Sequence, residues 1–233
     1  MPRIPLVEDL TKDQIPPGTN ILVEFDPVSQ WYNASVTIAA GWIRTGGVTA
    51  YNVHTRPPEK IREQFKRLGL DVETLESTDK LRIIDCYTAS LGRKSQEKRA
   101  VNSLKVADLS IDFGTHEMRE TPMPELLRVW DTSSYLARFN DERAWVEVEL
   151  ARFVPSSSIM QSTGIGGVIR GIHSDWVYKQ LEAAYDGVID FKFEEEGKST
   201  RDVMRIRSMR DAHFDREWHE LKIGENFEVT LEK

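Results

Sequence analysis

Ile15-Pro16-Pro17-Gly18-Thr19-Asn20-Ile21-Leu22-Val23-Glu24-Phe25, followed at once by Asp26-Pro27-Val28-Ser29-Gln30-Trp31-Tyr32-Asn33, is the stretch from which the rest of the chain is read. Pro16-Pro17-Gly18 signals a turn, since proline presets φ and glycine accepts backbone angles that other residues avoid. Asn20–Phe25 is short and apolar, the pattern of a buried strand. Residues 30–44 have the length of a helix, and Gly46-Gly47 ends it.

Outward from this unit, strand and helix signals alternate. Val48–Val53 predicts a second strand. Pro57-Pro58 opens a helix on which Ile61, Phe65 and Leu68 recur at helical spacing before Gly69 stops it. Residues 81–87 and 126–130 predict further buried strands, the latter ending at Asp131, and 141–153 a helix. Residues 159–162 are expected to form a fifth strand, and Gly164-Ile165-Gly166-Gly167 a mobile loop near the sheet's C-terminal edge. Ser174 caps a helix carrying Val177, Leu181 and Ala184 on one face. Beyond Gly187 the pattern changes to short strands at 188–193, 203–209, 217–223 and 227–231. The fold class that follows is α/β: one domain over residues 1–233, with a mainly parallel central sheet flanked by helices and antiparallel strands added at the C-terminal end.

Composition narrows the function classes. The chain has 233 residues, 30% charged, with a formal net charge of -7, which disfavours broad nucleic-acid binding. The single cysteine, Cys86, excludes an internal disulfide and reads as a buried thiol in a reducing, cytoplasmic setting. No stretch approaches the roughly 20 apolar residues of a membrane span. The basic run Arg93-Lys94-Ser95-Gln96-Glu97-Lys98-Arg99 reads as a solvated loop. His213, Asp215 and His219 fit no common zinc spacing, so neither metal nor cofactor is expected.

Four segments in order carry a resemblance. Residues 15–23 resemble the approach to the nucleotide site of KaiC-like, RecA-superfamily ATPases, a group that includes archaeal recombinase paralogues. Residues 56–69 are similar to the helix after that family's second strand. Leu127-Arg128-Val129-Trp130-Asp131-Thr132-Ser133-Ser134 resembles its Walker B strand, and 205–221 its terminal hairpin. The resemblance implies a RecA-like P-loop NTPase fold.

It also implies a phosphate-binding loop at residues 26–33, and there the chain departs from the family. A working loop reads G-x-x-x-x-G-K-[ST]: glycines let backbone N–H groups wrap phosphate, lysine supplies charge and the hydroxyl holds magnesium. Asp26 and Trp31 stand where the glycines belong, Tyr32 where the lysine belongs and Asn33 where the hydroxyl belongs. No lysine occurs between Lys12 and Lys60, so a shifted alignment does not restore the motif. Trp31 and Tyr32 are expected to fill the phosphate space.

The family's water-polarising glutamate is also missing, since Val53-His54-Thr55-Arg56-Pro57 holds no carboxylate. Asp131 matches the Walker B aspartate and is expected to accept hydrogen bonds from the backbone of Thr132 and Ser133. Arg210 matches the residue that reaches into a neighbouring subunit's site. With Arg205 and Arg207 it marks a possible interface, or else pairs with the carboxylates at 194–196. The reading is a pseudo-ATPase acting as a regulatory or protein-interaction module, as a homo-oligomer or beside active relatives. The alternatives are a nucleotide-independent DNA-binding paralogue, an enzyme with another ligand in the remodelled cleft, or an ATP-binding protein with an altered loop.

Overall fold

The computed structural model describes residues 2–101, 122–137, 141–197 and 199–232. Its centre is β1 (Asn20–Phe25), buried along its whole length, followed by α1 (Trp31–Arg44) and β2 (Val48–Val53). Next come α2 (Pro58–Arg67), α3 (Val72–Ser77), β3 (Leu81–Asp85) and the short α4 (Tyr87–Ser90). β4 (Leu126–Asp131) leads into α5 (Thr132–Leu136). After α6 (Glu142–Val148) a π-helical turn, Glu149–Phe153, runs into α7 (Val154–Met160). β5 (Thr163–Ile169), α8 (Asp175–Ala184), β6 (Gly187–Glu196), β7 (Ser199–Met209), β8 (His219–Ile223) and β9 (Val229–Leu231) complete the described chain.

The strands form one sheet in the order β3-β2-β4-β5-β1-β6-β7-β8-β9. Pairings from β3 through β6 are parallel and those from β6 to β9 antiparallel, as the alternation and its loss after Gly187 require. Successive strand residues face opposite sides. Ile21, Val23 and Phe25 therefore join a core with Trp31, Ile38 and Phe65 from α1 and α2. Leu22 joins a second core with Trp130, Trp145, Leu181 and Tyr185 on the other side. Two helical layers thus sandwich the parallel half. No described helix is long and apolar enough to cross a membrane.

Two expectations fail at the same place. Residues 159–162 are not a strand: α7 runs to Met160, and Gln161 ends it in the left-handed region at φ 54°. The fifth strand is β5, and Gly164–Gly167, expected as a mobile loop, forms its buried middle. The glycines there make room for aromatic rings from neighbouring elements. A Cβ on Gly166 would lie 2.7 Å from Tyr185 Oη and 2.9 Å from the Trp130 indole, and one on Gly167 would lie 2.6 Å from Trp31 Nε1. With glycine at three of its seven positions, the strand gives only a weak strand signal of its own.

Smaller differences concern boundaries. β3 stops at Asp85, whose carboxylate accepts the Thr88 N–H, so Cys86 leaves the strand and Tyr87 begins α4. Cys86 is buried, with its Sγ 3.4 Å from Tyr135 Oη. β6 and β7 are longer than expected, because the polar stretch at 194–202 continues the ladder to a turn at Gly197.

Candidate functional site

The site at the end of β1 is built by a loop fastened to the antiparallel hairpin. Asp26 donates its N–H to Phe191 O at 3.0 Å, and its carboxylate accepts the Phe193 N–H at 3.2 Å. Ser29 turns the chain back by donating from both N and Oγ to Asp26 O. Gln30 then caps α1, and its N–H points at Asp202 Oδ1 of β7, 3.1 Å away. A helix N-terminus favours an anion. Here an internal carboxylate meets the first N–H. Burial pushes Asp202 above the ordinary aspartate range, with the Gln30 hydrogen bond opposing it.

The four residues expected from the resemblance at the glycine, lysine and hydroxyl positions take separate roles. Asp26 is the clasp just described. Trp31 lies in the core, its ring edge-on to Phe191 at 5.4 Å and 6.0 Å from Phe25. Tyr32 packs edge-on against Phe25 and donates its hydroxyl to Asp131 Oδ2 at 3.1 Å. Burial, and then the neighbouring Asp131 charge, push the Tyr32 hydroxyl well above its ordinary range, so it stays a donor. Asn33 turns away, donating to Gln30 Oε1 at 2.7 Å and accepting from Gln64 Nε2 at 3.3 Å.

Asp131 caps α5, accepting the Ser134 N–H and Oγ–H at 2.9 Å each, besides the Tyr32 hydroxyl. The backbone donors expected for it are Thr132 and Ser133; the 2.9 Å backbone bond comes from Ser134. Burial raises the Asp131 carboxyl, and the Ser134 and Tyr32 hydrogen bonds pull it back. Above it, Ser35 Oγ and Tyr51 Oη lie 2.7 Å apart, with burial pushing the Tyr51 hydroxyl up to about 12. His54 follows β2 directly, with its ring edge-on to Tyr135 at 4.3 Å. Tyr32, Tyr51, His54, Arg56, Gln64 and Asp131 are among the residues around the remaining cleft, whose volume is about 30 Å³. That is space for about two water molecules.

The arginines pair differently from expectation. Arg205 meets Asp190 at 2.8 Å and stacks over Trp218 at 4.4 Å. Arg207 reaches Glu24 at 2.6 Å, Glu182 at 2.9 Å and Asp190 at 3.5 Å, while Arg170 pairs with Asp190 at 2.5 Å. Glu194, expected among their partners, is instead taken by Arg201 and Lys192. Glu24 is buried on β1, and that burial, together with a hydrogen bond shared with Glu182, raises its carboxyl to about 7 against the pull of Arg207. Arg210 donates to Ala183 O at 2.6 Å and keeps 53% of its side chain exposed.

Several groupings carried no sequence signal. Ser133 Oγ lies 2.9 Å from His173 Nε2, and His173 Nδ1 lies 3.1 Å from Glu142 Oε1. Serine, histidine and carboxylate stand in the order used for nucleophilic catalysis. Ser133 is only 1% exposed, however, and accepts the Ile169 N–H at 2.7 Å, so this chain ties the turn after β5 to α5. Glu149, in the π-helical turn, is a buried acceptor for Trp130, Thr132, Trp145 and Tyr185. Among the described residues no His, Cys, Asp and Glu group could hold a metal ion; His213 pairs with Asp13 and His219 with Asp215.

Comparison with known proteins agrees with this architecture. A family model described as KaiC ATPase matches residues 47–232, a stretch that begins beyond the loop and α1. The crystal structure of a KaiC-like protein from the hyperthermophilic archaeon Pyrococcus horikoshii OT3 is similar, with a TM-score of 0.73 and 18% identity. The match covers 99% of this chain and 97% of that one. A search of curated proteins finds no match.

Proposed function

The chain belongs to the KaiC ATPase family, and from that premise we propose that it is a member without ATPase activity, acting as a protein-interaction or regulatory module. The observation that carries this reading is the 3.1 Å hydrogen bond from Tyr32, in the lysine position, to Asp131, the Walker B match. In an active loop the lysine and the metal held by that aspartate together neutralise phosphate charge. Here the lysine position holds a neutral ring, and its hydroxyl occupies an acceptor site on the carboxylate. Three further features support the same reading: the cleft of about 30 Å³, Asp202 at the start of α1, and no carboxylate between His54 and Pro57.

An interaction role also suits what the chain retains. Arg210 remains half-exposed beside the 203–221 hairpin, and we place there the contact with a second copy or an active relative. DNA binding is the weaker reading, since Arg170, Arg205 and Arg207 are matched by Glu24, Glu182 and Asp190. A cytoplasmic setting, consistent with the lone buried Cys86, belongs to the same proposal. The direct test is phosphate release from ATP with magnesium. We expect no release above the protein-free rate; turnover that disappears in Asp131→Asn would overturn the reading.

A further inference from the structure

A groove of about 880 Å³ lies away from the cleft and shares no lining residue with it. Leu10, Thr11 and Lys12 of the N-terminal segment line it together with Phe214, Arg216 and Leu231. The volume falls in the range of ligand-holding clefts. β9 is the last strand of the sheet, so one of its edges has no partner strand among the described residues.

The hydrogen-bond pattern gives the direction of its backbone groups. Gly224 N donates to Glu228 O and Glu232 N to Glu220 O, so these are bonded pairs of the antiparallel ladder. Register places Leu221 opposite Leu231 and Ile223 opposite Val229, in the alternate, non-bonded positions. The N–H and C=O groups of Val229 and Leu231 therefore point away from β8. The Val229 N–H is met by Thr37 Oγ1 of α1 at 3.0 Å. Leu231 carries the next outward pair, with no partner among the described residues, on a strand that lines the groove.

Charge selects the occupant. The groove's acids are already engaged: Asp9 by Arg3, Asp215 by the Glu217 N–H with the His219 ring 3.2 Å away, and Glu232 by Lys222. Lys12 and Arg216 have no carboxylate partner among the described residues, and Arg216 lies over the Phe214 ring at 5.4 Å. Leu10, Phe214 and Leu231 supply apolar lining to the same groove. We propose that the groove binds an extended acidic peptide segment, which adds to the edge of β9 and sets acidic side chains against Lys12 and Arg216. Exposed sheet edges accept such strands, with backbone bonds giving affinity and alternate side chains giving specificity.

The proposal goes beyond the loss of ATPase activity and fails separately from it, because neither Tyr32 nor Asp131 touches this groove. The test is fluorescence anisotropy with a labelled short peptide of alternating valine and glutamate, against one of valine and lysine. Saturable binding of the glutamate peptide alone is expected. Leu231→Pro removes the outward N–H, and the pair Lys12→Glu with Arg216→Glu reverses the cationic wall. Each is expected to weaken binding by about tenfold, equivalent to about 1.4 kcal/mol. The charge-reversed protein decides the matter if Leu231→Pro does not fold. Equal binding of both peptides, no saturable binding, or affinity unchanged by charge reversal would overturn the proposal. So would a dimer that the peptide does not dissociate, which would assign the groove to a second copy.

Discussion

Single side chains divide sharply between those whose role could be read along the chain and those whose role depends on partners far away in it. Trp31, Tyr32, Asn33 and Asp131 could be singled out because the family resemblance expects particular residue types at fixed spacing there, and departures from that pattern are visible locally. Asp202 could not be: it meets Gln30 across 172 residues, and nothing near either one announces the pairing. Glu24 belongs to the same second class, since its surroundings come from α8, β6 and β7. Its carboxyl is raised from 4.5 to about 7 by burial and by Glu182, so the folded chain holds a proton there that the unfolded chain releases. The stability this proton lends is complete below about pH 4.5 and is lost as pH rises through about 7. Asp131, Glu149 and Asp202 are raised in the same direction, so the informative quantity is a difference between proteins. The Tm of the native chain should fall between about pH 5 and about pH 8, and that of Glu24→Gln, which mimics the protonated form, should fall less. Parallel curves would show that Glu24 does not titrate in that window.

Among the elements, β1, β2, β4, α1 and α2 are close to their sequence reading because each combines a strong apolar pattern with a stop signal. β5 is the failure, and its cause is specific. A strand is ordinarily recognised by side chains that pack on their neighbours, whereas Gly164, Gly166 and Gly167 leave room for Trp130, Tyr185 and Trp31 to pack on the strand's backbone. The tight fit implies that even one methyl group is costly. Gly166→Ala should destabilise the protein by about 2 kcal/mol, the usual cost of overfilling a close-packed core, read from the denaturant midpoint at unchanged slope. A midpoint equal to that of the parent would mean that the two rings yield freely. The π-helical turn was equally hidden, because Glu149 appears in sequence as one more acid on a helix, yet it accepts hydrogen bonds from side chains of three other elements.

For the whole molecule, the alternation of strands and helices indicated a parallel sheet, and the break after Gly187 its antiparallel extension. The strand order and the clasp between the 26–30 loop and the hairpin required the structure. That clasp joins the first strand's loop to β6 and β7 through Asp26 and Asp202, so the 26–30 loop and the hairpin form one packed body. RecA-type subunits associate by head-to-tail contacts that close by rotation. With Arg210 exposed beside this hairpin, light scattering over a concentration series should show a weak, concentration-dependent oligomer that Arg210→Glu reduces. A monomer throughout, indifferent to that change, would leave a free-standing binding domain. The central claim, that the nucleotide site has been filled from within, is tested most directly by titrating ATP with magnesium into the purified chain in a calorimeter. The account predicts no saturable heat; micromolar binding that Asp131→Asn abolishes would contradict it.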